Sequence, residues 1–246
     1  MVTGERVRTC QIVDLGLVGY AEAYALQKRI VAARKAEAIE DVLLLCEHPH
    51  VITQGRNGKR EHLLVSEPVL RQKGMEYYET SRGGDITYHG PGQIVGYPIL
   101  NLGAIRRDVV WYVRTLEEAM IRATAEFGIT AERVAGKTGI WMRVGNTEDK
   151  LAAIGVHISR WVTSHGFAYN VSTDLRNFEL IVPCGIANRK ATSLGKLLGR
   201  SVEGKEVARR IAKHLGELLA MEMQEISRKE LLEKLEHAEQ AATVSA

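Results

Sequence analysis

The chain has 246 residues, of which 45% are hydrophobic and 26% charged, enough to bury one substantial core and typical of a soluble globular fold. A net charge of +3 is too mild to point to nucleic acid, and no apolar stretch is long enough to cross a bilayer. Three cysteines, Cys10, Cys46 and Cys184, argue against a disulfide framework and fit a reducing compartment. Met1 to Arg6 shows no signal-peptide pattern, so the expected location is the cytoplasm.

In chain order, residues 8–13 alternate as a strand. Residues 17–38 carry apolar positions at helical spacing. Val42–Cys46 and Val51–Thr53 predict buried strands around His48-Pro49-His50, with Cys46 in the core. A short helix from Pro68 to Lys73 and strands at 75–80, 86–88 and 93–99 follow. Asp108 predicts the cap of a helix running to Phe127 and stopped by Gly128. Strands are expected near 130–134, 139–144, 151–159 and 166–171, with a helical turn at 175–180. Val202 to Met221 predicts an amphipathic helix, and 227–240 a charged helical segment fading into Ala241–Ala246. Strands that often neighbour one another favour a single mixed α/β domain, with α+β character, over a regular βαβ array. The expected division is a domain over 1–222 and a charged, partly frayed extension over 223–246.

Three stretches carry chemistry. The first is Ile181-Val182-Pro183-Cys184-Gly185-Ile186, a thiol between a proline and a glycine. Such a thiol suits a nucleophile beside bare backbone that can reach an oxyanion; it equally suits a small apolar filler. The second is Arg82-Gly83-Gly84-Asp85-Ile86-Thr87-Tyr88-His89-Gly90-Pro91-Gly92-Gln93. Four glycines in twelve residues, mixed with donors and an aromatic ring, fit a binding segment better than a plain hairpin. The third is Lys150-Leu151-Ala152-Ala153-Ile154-Gly155, where a lysine opens an apolar strand. Lys150 is either an exposed residue at the strand's start or an ammonium held near a pocket, where it would favour a thiolate and pass protons. His165 leads into a strand whose Gly166 and Ala168 are small enough to leave a channel open; a structural histidine is the alternative.

Other signals fail. The order Gly-x-Gly-x-x-Gly with a following helix is missing. Gly136-Lys137-Thr138 lacks a phosphate-loop glycine, because Ala131 occupies that position. The eight histidines include no His-Glu-x-x-His, and His48 and His50 have no cysteine pair to complete a zinc site, so no metal is expected. Arg56 to Arg60 and Arg189-Lys190 are basic segments that fit an acidic partner or simply solvated loops.

With these residues in view, Arg82 to Tyr97 resembles the signature of the lipoyl(octanoyl) transferases. That signature runs Arg-Gly-Gly, two residues, Thr-aromatic-His, two residues, Gly-Gln, and a Tyr four beyond. Lys150 to Gly155, His165 to Asn170 and Pro183-Cys184-Gly185 match further blocks, and Lys150 and Cys184 stand 34 residues apart, as in the family's dyad. The resemblance spans roughly residues 10–220. It implies the fold of lipoate and biotin protein ligases, a central mixed β-sheet flanked by helices. It implies a Cys184 nucleophile activated by Lys150. It also implies substrate-binding segments at Arg82, Gly83, Gly84, Asp85, Ile86, Thr87, Tyr88 and His89, at Ala153, Ile154 and Gly155, and at Gly166, Phe167 and Ala168. Asp85 and Ile86 fall where the signature is permissive, so no side-chain role is assigned to them.

The implied reaction moves an octanoyl group from octanoyl-acyl carrier protein to the enzyme cysteine. From there it passes to a specific lysine of lipoyl domains, those of 2-oxoacid dehydrogenase complexes and of the glycine cleavage H protein. No cofactor and no ATP are implied, since thioester to amide is downhill. Three rivals stay open on the residues: an ATP-using lipoate or biotin ligase, an inactive binding module, and a cysteine hydrolase.

Overall fold

The computed structural model describes residues 7–145, 147–182 and 190–244. The strands are β1 (Arg8–Leu17), β2 (Asp41–Glu47), β3 (Val51–Gln54), β4 (Glu76–Glu79), β5 (Ile86–His89), β6 (Gln93–Ile99), β7 (Glu132–Val134), β8 (Lys137–Val144), β9 (Thr147–Ser159), β10 (Val162–Asn170) and β11 (Met221–Glu225). The helices are α1 (Tyr20–Lys35), α2 (Glu67–Gln72), α3 (Leu102–Ile105), α4 (Val109–Ala125), α5 (Leu194–Leu198), α6 (Gly204–Leu219) and α7 (Arg228–Val244).

Eight strands form one mixed sheet in the order β11-β1-β2-β6-β10-β9-β8-β7, and a smaller sheet runs β4-β3-β5. The first two pairings of the large sheet are parallel and the rest antiparallel. The apolar run of β2 is continuous because both of its faces are covered. Leu43 and Leu45 join the core beneath α4 and α6, while Val42, Leu44 and Cys46 join the core beneath α1 and α7. The mixed sheet with helices on both faces agrees with the architecture expected from the sequence. No helix among the described residues is long and apolar enough to cross a membrane.

Several boundaries differ from the sequence expectation. β1 runs on to Leu17, so α1 starts only at Tyr20; Gly16, at φ +63°, lets the strand bend there, with its N–H donating to Asp14 Oδ1. α4 is capped as expected, with the Trp111 N–H donating to Asp108 Oδ1 at 2.9 Å. Helix α6 stops at Leu219, because Ala220 takes a left-handed conformation. Met221 then opens β11, which pairs in parallel with β1 from Arg8 to Ile12. Five residues directly behind a helical stripe are too few to show a strand period of their own. The expected boundary at residue 222 falls within this strand. Beyond it, α7 buries Leu231 and Leu235 completely, and Arg29 of α1 makes a bidentate ion pair with its Glu239. Burying two leucines stabilises by roughly 3–6 kcal/mol, far more than the exposed ion pair supplies.

Candidate active site

A cavity of about 520 Å³ lies between the small sheet and the large one, beside the N-terminal end of α1. Residues of β5, β6, β9 and β10 line it, with Tyr20 and the loop from Arg82 to Asp85. Its volume falls in the range of small-molecule sites.

The loop that leads into β5 lies on β9 backbone to backbone. Gly83 N–H donates to Val156 O at 2.9 Å. A Cβ on Gly155 would sit 2.8 Å from Gly83 O, so only glycine permits that approach. Gly166 lines the cavity and has a second reason to be small. A Cβ there would stand 2.1 Å from Gly96 O, so its bareness serves the packing of β10 on β6.

Arg82 is buried, and its guanidinium braces the loop. It donates to Thr53 O at 2.6 Å, to Thr53 Oγ1 at 3.0 Å and to Gly83 O at 3.1 Å. On β5, residues alternate. Thr87 and His89 face the cavity, whereas Tyr88 points into the small core under the β4-β3-β5 sheet. There its hydroxyl meets His50 Nδ1 at 2.7 Å and Asn177 Nδ2 at 2.9 Å, and its ring packs edge-on to Phe178. Ile86 belongs to the same small core and reaches the cavity's edge. Asp85 holds the loop in shape. Its carboxylate accepts from its neighbour's N–H at Ile86 and lies 2.7 Å from His62 Nδ1. His62, which no sequence motif singles out, also accepts the Val182 N–H on its carbonyl at 2.8 Å.

Ala153, Ile154, Gly155, Gly166, Phe167 and Ala168 all line the cavity, brought opposite one another by the antiparallel register of β9 and β10. His165 and His89 are both buried, and burial, aided by Arg82 and neighbouring imidazoles, pushes each down to about 3. Both are therefore neutral at physiological pH. They belong to an aromatic cluster in which Tyr20 stacks on His89, Tyr24 stacks on His165, and His48 bonds Tyr97 Oη at 2.7 Å.

Lys150 also lines the cavity. It is the fourth residue of β9 rather than its first, because Thr147 to Asp149 extend the hairpin with β8. Its Nζ sits 4.5 Å from the centre of the buried Trp141 ring. Its backbone N–H donates to Lys190 O, and its carbonyl accepts from Thr192 N–H, each at 2.9 Å. Cys184 lies outside the described residues. Its segment is flanked by Val182, held on His62, and by Lys190, held on Lys150. Of the other thiols, Cys10 and Cys46 are buried, and burial pushes both far up, so they stay protonated and inert.

Residues 19–216 match the lipoyl protein ligase A/B catalytic domain. An octanoyltransferase of Acidobacterium capsulatum is 54% identical over 74% of this chain and 78% of its own length, and one of Solibacter usitatus is 50% identical over 88% and 96%. The chain belongs to the lipoyl(octanoyl) transferase family. Among solved structures, a bipartite lipoate protein ligase of Thermoplasma acidophilum superposes with a TM-score of 0.74. The match covers 95% of this chain and 91% of that one at 18% identity, a likeness of fold alone.

Proposed function

We propose that the protein transfers an octanoyl group from octanoyl-acyl carrier protein to a specific lysine of a lipoyl domain, through a thioester on Cys184 and without ATP. In the first half, the Cys184 thiolate attacks the donor thioester and the carrier thiolate leaves, taking up a proton. In the second, the acceptor amine attacks the acyl-enzyme, neutral Lys150 takes the amine's proton, and the Cys184 thiolate departs. Nothing is oxidised or reduced, and thioester to amide supplies the driving force.

The observation that carries this is the double backbone clamp between Lys150 and residues 190 and 192 at the cavity wall. It joins the lysine block to the segment that immediately follows the cysteine block, although 34 residues separate the two functional side chains. The cavity suits the acyl chain: at ~0.8 kcal/mol per buried methylene, an eight-carbon chain gains about 5 kcal/mol without any charged contact. The relatives' names supply the acyl group.

The test is intact-protein mass spectrometry after mixing the enzyme with octanoyl-acyl carrier protein, ATP omitted. Wild type is expected to gain one octanoyl mass that a lipoyl domain discharges, and Cys184→Ser no such labile adduct. Absence of the adduct, with acylation appearing only when ATP is supplied, would make the protein a ligase.

A further inference from the structure

A single line of hydrogen bonds threads three motif blocks, and its direction is fixed at every link. Arg82 Nη2 and Nε donate to Thr53 Oγ1 at 3.0 and 3.3 Å. Thr53 Oγ1 stands 3.3 Å from His89 Nε2, and His89 Nδ1 stands 2.7 Å from Gln93 Oε1. Gln93 Nε2 donates to Asn170 Oδ1 at 2.9 Å and to Tyr88 O at 3.2 Å. Asn170 Nδ2 donates to Thr192 O at 3.0 Å, and Thr192 N–H donates to Lys150 O at 2.9 Å. Arg82, Thr53, His89, Gln93, Asn170 and Thr192 are all buried.

Fixed-polarity groups at the anchors dictate the rest. Arg82 can only donate, so Thr53 accepts from it, and the Thr53 hydroxyl donates to His89 Nε2 once the imidazole's one proton is on Nδ1. Tyr88 O and Thr192 O can only accept, so the Gln93 and Asn170 amides must present nitrogen to them and oxygen to the preceding member. The Gln93 oxygen then requires a proton on His89 Nδ1. His89 is thus a neutral imidazole with its proton on Nδ1, which agrees with burial holding its pKa at about 3.

We infer that Gln93 and Asn170 are positioning residues: with Thr53 and an Nδ1-protonated His89 they form a one-way hydrogen-bond relay that ties Arg82 to the 190–192 segment and so sets the position of Lys150. This deepens the proposed transfer and rests on it for its catalytic consequence. Its chemistry demands amides at 93 and 170, because each must accept on one side and donate on the other. A carboxylate of the same shape breaks the line by facing an acceptor with an acceptor.

The test compares Asn170→Asp, isosteric but unable to donate when ionised, with Asn170→Ala, at pH 8. The relay predicts that Asp lowers kcat for lipoyl-domain acylation at least about tenfold, and more than Ala does, with KM within about twofold. It also predicts that hydrogen-exchange protection of the Thr192 amide drops at least about tenfold in Asn170→Asp. A space-filling role predicts the opposite order, Ala worse than Asp, and would overturn the relay. Nitrogen-15 imidazole spectra of the wild-type protein, which need no substrate and no variant, are expected to show His89 neutral with its proton on Nδ1 at pH 7. A proton on Nε2, or an imidazolium, would overturn the relay even if the variants fail to fold. Failure of wild type to transfer octanoyl without ATP would instead count against the proposed reaction and leave these spectra as the judge of the relay.

Discussion

Lys150 and Trp141 stand on neighbouring strands with the lysine Nζ 4.5 Å from the centre of the indole ring. The contact sets the amine against the ring face at the cavity wall. Lys137 approaches the same ring at 5.4 Å and is paired with Glu148.

Replacing Lys150 with alanine removes the proposed proton carrier but leaves its backbone bonds to Lys190 and Thr192 in place. The expected outcome is a loss of acyl transfer of at least about a hundredfold, with the thermal midpoint within a few degrees of wild type. The lost contact with Trp141 costs only about 1 kcal/mol. Normal transfer by this variant would remove Lys150 from the reaction.

Gly166→Ala should destabilise the fold, and by more than Gly155→Ala. The first Cβ would stand 2.1 Å from a backbone oxygen inside the central β6–β10 pair, the second 2.8 Å from one in a loop. Overpacking of this kind costs about 1–3 kcal/mol. Urea unfolding midpoints give the order directly.

Cys10→Ser is expected to remain active, since its thiol lies in the core away from the cavity. In native protein, Cys10 and Cys46 should resist a disulfide-exchange reagent and react only on unfolding. Rapid labelling of either thiol would contradict the burial that keeps both protonated.

Stability should fall as acid is added through the histidine range. His89 and His165 titrate near 3 in the folded state and near 6.5 when unfolded. Their neutral forms are what the fold holds, so their contribution is complete above the unfolded value. It declines as pH drops from 6.5 toward 3, where the unfolded chain binds the extra protons. Between about pH 7 and pH 5 the two together should remove on the order of 4 kcal/mol. Chemical denaturation across that interval measures it; a flat profile would mean that these imidazoles take up protons in the fold as readily as in the unfolded chain.

Leu235→Ala should cost about 2–5 kcal/mol, although it lies in the charged segment that the sequence marks as an extension. Truncation after residue 222 would remove most of β11 along with α7, exposing the β1 edge and the core beneath α1. Such a chain is expected to aggregate, as light scattering would report.

Local information sufficed where one element carries its own period. The apolar run of β6, the capped α4 and the stripe of α6 all declare themselves, and the motif blocks name the candidate residues because their side-chain chemistry is written in the chain. Anything set by a second segment is hidden from such a reading. The strand Met221–Glu225 exists because β1 offers it an unpaired edge. Tyr88 turns from the cavity because β5 has a small core behind it. His62 comes to the site through Asp85 and Val182, and Trp141 lines the cavity beneath Lys150. Gly166 looks like an opening when read along the chain and does line the cavity, but only the fold shows that it is also a close contact, because Gly96 O lies against it. Residue types able to do acyl chemistry, and the periods of the longer elements, are local properties and could be read in order along the chain. Which of those residues share a cavity, which way each hydrogen bond runs and which imidazoles lose their charge came from folding, because all three depend on burial and on partners far away in the chain.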